Sequence, residues 1–83
     1  MSSPAILVAD DHPLFRTAVI HALRGALPGA GVTEAASAAS LGQALDARPD
    51  TDLVLLDLSM PGAHGFSALL HVRGEHPEVP VVV

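Results

Sequence analysis

Three observations predict an α/β fold on a parallel sheet: short continuous apolar runs suited to buried strands, helix-spaced apolar residues between them, and Pro or Gly at the joins. The elements alternate as βαβαβαβ, and right-handed crossovers restrict how they connect.

The first strand is Ala5-Ile6-Leu7-Val8-Ala9, apolar throughout and so suited to burial on both faces. After Asp10-Asp11-His12, Pro13 is a favoured first helical residue, and Leu14, Phe15, Ala18, Val19, Ala22 and Leu23 recur at helical spacing. That pattern puts Arg16, Thr17, His21 and Arg24 on the opposite side. Gly25 and the Pro28-Gly29 pair are expected to end the helix, and Gly31 to Ala35 offers a short second strand around Val32 and Thr33. The alanine-rich stretch from Ala35 to Ala39 reads as a strand-to-helix turn.

Ser37 or Ser40 can cap the second helix, the latter through a Ser-x-x-Gln box with Gln43; Leu41, Ala44 and Leu45 form its apolar face and Pro49 closes it. Leu53-Val54-Leu55-Leu56 is a third, continuously apolar strand, followed from Leu58 to Gly65 by a turn-rich loop. Phe66, Leu69, Leu70 and Arg73 share a stripe of the third helix, expected to stop at Gly74 and Pro77. Val79 to Val83 is the last strand, with Pro80 near its start, where a missing donor is tolerated.

The 83 residues, with no cysteine, 49% hydrophobic residues and a net charge of −5, describe one small domain without disulfides. At 2% aromatic residues, the core must be built from alanine, valine and leucine. No apolar run approaches the roughly 20 residues of a membrane helix, and Met1-Ser2-Ser3-Pro4 has no basic signal-peptide region, so neither a membrane span nor a signal peptide is expected. Four arginines and no lysine against nine acids argue against direct nucleic-acid binding. The lack of cysteine fits the cytosol.

In open parallel sheets the binding crevice lies beyond the carboxyl ends of the strands, where this chain places Asp10-Asp11 after the first strand and Asp57 after the third. A single strand-end acid can simply cap a helix or keep a loop wet. Three together pose an electrostatic problem, since two charges about 4 Å apart repel by roughly 4 kcal/mol at an effective dielectric of 20. A hard divalent cation relieves it. Oxygen-only ligands suit Mg²⁺ or Mn²⁺ better than zinc, which needs the His or Cys donors that this crevice largely lacks.

Ile6 through Arg16, containing Asp10-Asp11-His12-Pro13-Leu14-Phe15-Arg16, together with Leu53 through Gly62 and Gly65, resembles the receiver domain of two-component response regulators. The Asp-His-Pro-Leu-Phe-Arg opening most resembles the LuxR/NarL-type branch. The resemblance implies a flavodoxin-like, doubly wound parallel sheet of strand order 2-1-3-4-5, here incomplete, with residues 1–83 as the N-terminal part of the domain. It implies that Asp57 accepts phosphate from a sensor histidine kinase. It assigns Mg²⁺ to Asp10, Asp11, Asp57 and the Ser59 backbone carbonyl, and it assigns Met60 and Pro61 to shaping the loop. His64 departs from the usual Asp or Asn. The family's Ser/Thr after the fourth strand, its Lys after the fifth and its last two helices lie beyond Val83, so phosphorylation of these residues alone is expected to be slow, short-lived or absent. DNA is expected to be bound only through an output domain outside the chain. The uncovered fourth strand and the sheet face beside Leu14, Phe15 and Val19 are expected to join copies into a homodimer or higher oligomer, through the fourth strand or by exchange of C-terminal elements.

His12 is expected as an N-cap with no catalytic role, Met60 as a packing residue, and His21, His64, His71 and His76 as too scattered for zinc. Neither a dinucleotide-binding glycine motif nor a Walker lysine is present. The alternatives are a cobalamin-like binding module, matched only to its Asp-x-His half because Phe15 replaces the glycine, an aspartyl-phosphate phosphatase, for which Ser59 stands where a second acid is needed, and a protein-interaction module with a vestigial pocket.

Overall fold

A computed structural model of the chain describes residues 3–57 and 67–83. Seven elements follow in order: β1 (Ala5–Ala9), α1 (Pro13–Ala26), β2 (Gly31–Ala35), α2 (Ala38–Ala47), β3 (Leu53–Leu56), α3 (Ser67–Glu75) and β4 (Val81–Val82). The strands form one parallel sheet in the order β2-β1-β3-β4. This is the doubly wound arrangement expected, with β1 and β3 in the centre.

The period of two along β1 divides its side chains between two cores. Leu7 and Ala9 join Leu41 and Leu45 of α2 and Ala68 and Val72 of α3 on one face, with Val54, Leu56 and Val79. Ile6 and Val8 pack with Ile20 of α1 on the other, flanked by Val19, Leu23, Val32, Leu53 and Leu55. Both faces of β1 are therefore covered, which is why its sequence is apolar without alternation.

The helices turn differently from their expected stripes. In α1 the inward side is Arg16, Val19, Ile20 and Leu23, while Leu14 is 88% and Phe15 62% exposed, and Ala18 and Ala22 also face out. Apolar residues occupy so much of this helix that periodicity alone could not choose the buried side. In α3 the buried pair is Ala68 and Val72, one turn apart, with Leu69 beside them; Leu70 and Arg73 are exposed, and Phe66 lies outside the described residues. Gly25 and Gly74 do not end their helices but sit in the last turns, where a fraying terminus tolerates them.

Of the two expected caps of α2, the structure uses the first. Ser37, not Ser40, is the N-cap of α2, and the reciprocal partner is Ser40: Ser37 Oγ accepts from the Ser40 amide, and Ser40 Oγ accepts from the Ser37 amide at 3.0 Å. Gln43 is exposed. β4 is shorter than its apolar run because Pro80 has no N–H for the ladder; its carbonyl instead accepts from the Val54 amide at 2.9 Å. Leu45 is fully buried, so Leu45→Ala is expected to lower the unfolding free energy by about 2–5 kcal/mol. Leu70→Ala, on the outer side of α3, should cost less than about 0.5 kcal/mol; urea midpoints of the two variants check both.

Candidate functional site

Strand register decides which side chains meet beyond the sheet. Ala9 of β1 pairs with Leu56 of β3, so the next residues, Asp10 and Asp57, leave adjacent strands side by side. The Asp57 amide donates to the Ala9 carbonyl, and the Asp10 amide to the Ala35 carbonyl, each at 2.9 Å, which fixes both backbones at the carboxyl edge.

Asp10 is buried, and its Oδ1 accepts from both the backbone N–H and the ring Nδ1 of His12, each at 2.8 Å. Arg16, expected on the solvent side, is half-buried: its Nη1 donates to the Asp10 carbonyl at 2.6 Å and its Nε to Glu34 Oε1 at 2.8 Å. It ties α1 to the ends of β1 and β2 and holds the main chain from which Asp10 projects. The sequence offered no sign of this, because Glu34 lies eighteen residues away on another strand.

One oxygen each of Asp10, Asp11 and Asp57 and a ring nitrogen of His12 all lie within 4.8 Å of one another. His12 Nδ1 is 2.8 Å from Asp10 Oδ1, 3.1 Å from Asp11 Oδ1 and 3.4 Å from Asp57 Oδ2. Asp11 Oδ1 is a buried atom that lies in ion-pair range of the ring but has no hydrogen-bond partner among the described residues. His12 holds the expected N-cap position, yet its side chain makes no capping hydrogen bond. The ring turns into the acids instead. The hydrogen bond to Asp10, then the charge of Asp11, raise its pKa above the usual imidazole value; desolvation opposes them, and the charges of Asp10 and Asp57 add to the rise.

The structure thus brings together three of the expected ligands, Asp10, Asp11 and Asp57, and corrects the expectation that the crevice largely lacks a nitrogen donor. Ser59, Met60, Pro61 and His64 lie outside the described residues. His21, His71 and His76 are not part of the cluster of Asp10, Asp11, His12 and Asp57; His76 Nε2 faces Asp46 of α2 at 3.4 Å. A buried carboxylate oxygen without a hydrogen bond among the described residues, in a group of three converging acids, fits a divalent cation, which takes oxygen ligands and keeps open positions for water or phosphoryl oxygens. The cluster opens onto a groove of ≈ 680 Å³, bounded by Phe15 and Val19 of α1, Leu55 of β3, and Val82 and Val83.

Known proteins share this arrangement of strands and the sequence that builds it. Residues 6–83 match the response regulator receiver domain family. The glycerol metabolism activator of Pseudomonas putida is 46% identical over 78 residues, covering 94% of this chain and 35% of that protein. The nitrate/nitrite response regulator protein NarL of Escherichia coli K12 is 40% identical over 78 residues, covering 94% of this chain and 36% of that protein. A LuxR-family two-component response regulator from Aurantimonas sp. SI85-9A1 superposes with a TM-score of 0.83 at 30% identity, over 96% of this chain and 56% of that one. The chain spans about a third of the length of these curated relatives. A match running from the second residue of β1 through the last residue leaves the cobalamin-like alternative without support, and the chain belongs to the response regulator receiver domain family, in its LuxR/NarL branch.

Proposed function

We propose that this receiver domain accepts a phosphoryl group on Asp57 from a sensor histidine kinase, with Mg²⁺ held by Asp10, Asp11 and Asp57, and that it thereby controls a transcription regulator. The observation that carries this reading is the convergence of the three carboxylates beyond β1 and β3, one with a buried oxygen that accepts no hydrogen bond among the described residues. The family is regulatory rather than a class of metabolic enzymes. In the proposed step an Asp57 oxygen attacks the phosphorus of a phosphohistidine; the P–N bond breaks, the kinase imidazole departs with its electron pair and takes up a proton, and an acyl phosphate forms. Mg²⁺, when bound, offsets the negative charge on the transferring oxygens.

The chain's own part is positioning. Main-chain hydrogen bonds from Asp10 and Asp57 to the neighbouring strands fix where both carboxylates start, and Arg16 holds the Asp10 carbonyl. The Ser59 carbonyl is the remaining proposed ligand. The 83 residues contain no lysine to clamp the phosphoryl group, so transfer to this segment alone should be slow. Among the described residues no helix is long and apolar enough to cross a membrane, and we place the domain in the cytoplasm, where its kinase would present the phosphohistidine. DNA contact belongs to an output domain outside these residues.

Self-association through β4 is a further part of the proposal. β4 is the last strand of the sheet, and its Val82 and the following Val83 are 53% and 65% exposed, uncharged and strongly β-forming, next to the apolar groove.

Asp57→Asn is expected to abolish acid-labile labelling by acetyl phosphate; a label that survives this change, or one that is acid-stable, would overturn the assignment. Absence of any labelling, with the fold intact, would favour the interaction-module reading. Asp11→Asn should weaken Mg²⁺ binding about tenfold or more, measured by calorimetry. Light scattering of the 83-residue chain at micromolar concentration should give a dimer or larger species that Val82→Lys disperses. A wild-type monomer with native circular dichroism would refute strand pairing.

A further inference from the structure

We propose that Glu34 of β2, which lies outside the acid cluster, is a positioning residue for the cation site: it acts through Arg16, whose guanidinium bridges the Glu34 carboxylate to the Asp10 main chain. The inference rests on the reading above, that Asp10, Asp11 and Asp57 hold a divalent ion, and extends the site to a strand that carries none of its proposed ligands.

Strand register puts Glu34 where this is possible. Glu34 pairs with Val8 of β1, and Ala35 with Ala9. Paired residues point to the same face, so Glu34 shares with Val8 the side of the sheet that α1 covers, while Ala35 turns into the opposite core. Arg16 reaches it from α1. Its Nε donates to Glu34 Oε1 at 2.8 Å and its Nη1 to the Asp10 carbonyl at 2.6 Å. The Asp10 amide donates to the Ala35 carbonyl at 2.9 Å. Both main-chain groups of Asp10 are therefore held by successive residues of β2, the amide directly and the carbonyl through a guanidinium.

The relay needs both of its acceptors. A long arginine side chain loses rotamer freedom when it is fixed at one group, and a second acceptor on its planar fork keeps it in place. The Arg16 side chain is 19% exposed and that of Glu34 54%, so Glu34 is the end that can be altered with least disturbance to the packing. Charge and positioning act with opposite sign at Arg16. A guanidinium beside the site repels a second cation, so charge by itself predicts that removing Arg16 tightens Mg²⁺ binding. Loss of the hold on Asp10 predicts that it weakens.

Calorimetric titration of Mg²⁺ into the 83-residue chain tests this with Arg16→Met, Glu34→Ala, Glu34→Gln, the double variant Arg16→Met/Glu34→Ala and Asp11→Asn, each checked without metal by circular dichroism and its urea midpoint. Arg16→Met should weaken Mg²⁺ by about tenfold, as outer partners of metal ligands do. Glu34→Ala should cost about threefold, the scale of one exposed ion pair. Glu34→Gln, which keeps an acceptor for Nε without the charge, should stay within about twofold of wild type. The double variant should bind no more weakly than Arg16→Met, because Glu34 acts only through that residue. Lower urea midpoints with unchanged affinity of the folded chain would overturn the inference. Tighter binding by Arg16→Met would do so too, as would equal losses in Glu34→Ala and Glu34→Gln or a double variant whose loss is the product of the single ones. Should Arg16→Met fail to fold, the comparison of Glu34→Ala with Glu34→Gln decides alone. A wild-type chain that binds no Mg²⁺, or binding indifferent to Asp11→Asn, would overturn the acid site and the relay with it.

Discussion

The functional end of this domain depends on the parallel register between β1 and β3. Because Ala9 stands opposite Leu56, the chain leaves both strands at the same level and releases Asp10 and Asp57 next to each other. A slip of one residue would turn the side chains of β3 to the opposite faces of the sheet and separate the carboxylates. The register is held by burial on both sides. Val54 and Leu56 fill one core while Leu53 and Leu55 pack against the other, so moving the strand would exchange two differently shaped sets of side chains. Packing in the middle of the sheet thus sets the chemistry at its edge.

Gathering three carboxylates at one point creates a repulsion that the surrounding residues partly answer. Arg16 neutralises none of them directly. Its guanidinium binds the Asp10 carbonyl and the Glu34 carboxylate, so its charge serves to anchor the backbone. His12 is the positive or nitrogen-bearing group that enters the cluster itself, and the acids hold its pKa up in return. These two residues divide the work at the strand ends: one fixes the main chain, the other meets the charge.

The two faces of the sheet are covered unequally. On the α2 and α3 side, Leu41, Leu45, Ala68 and Val72 close over β1 and β3. On the α1 side Ile20 is the buried helical residue, and Phe15 leans over a groove that runs from Asp10 to Val83. The acid site therefore opens beside apolar surface. Asp57 stands at the mouth of that groove, next to its apolar walls.

How much of this was legible in the sequence follows from the range over which each feature is decided. The sequence by itself determined the alternation of strands and helices, since apolar runs, Pro13, Pro49 and the serines before α2 act over a few residues; it also pointed to Asp10, Asp11 and Asp57, because a parallel sheet gathers strand ends wherever its strands are apolar throughout. The tertiary structure decided which side of α1 and α3 is buried. Apolar residues surround α1, and in α3 small Ala68 fits against the sheet where the larger Leu70 stays in water. It also decided the roles of Arg16 and His12. One pairs with Glu34 across two elements, and the other takes its place from acids carried by two strands, so both depend on distances through space that spacing along the chain does not encode.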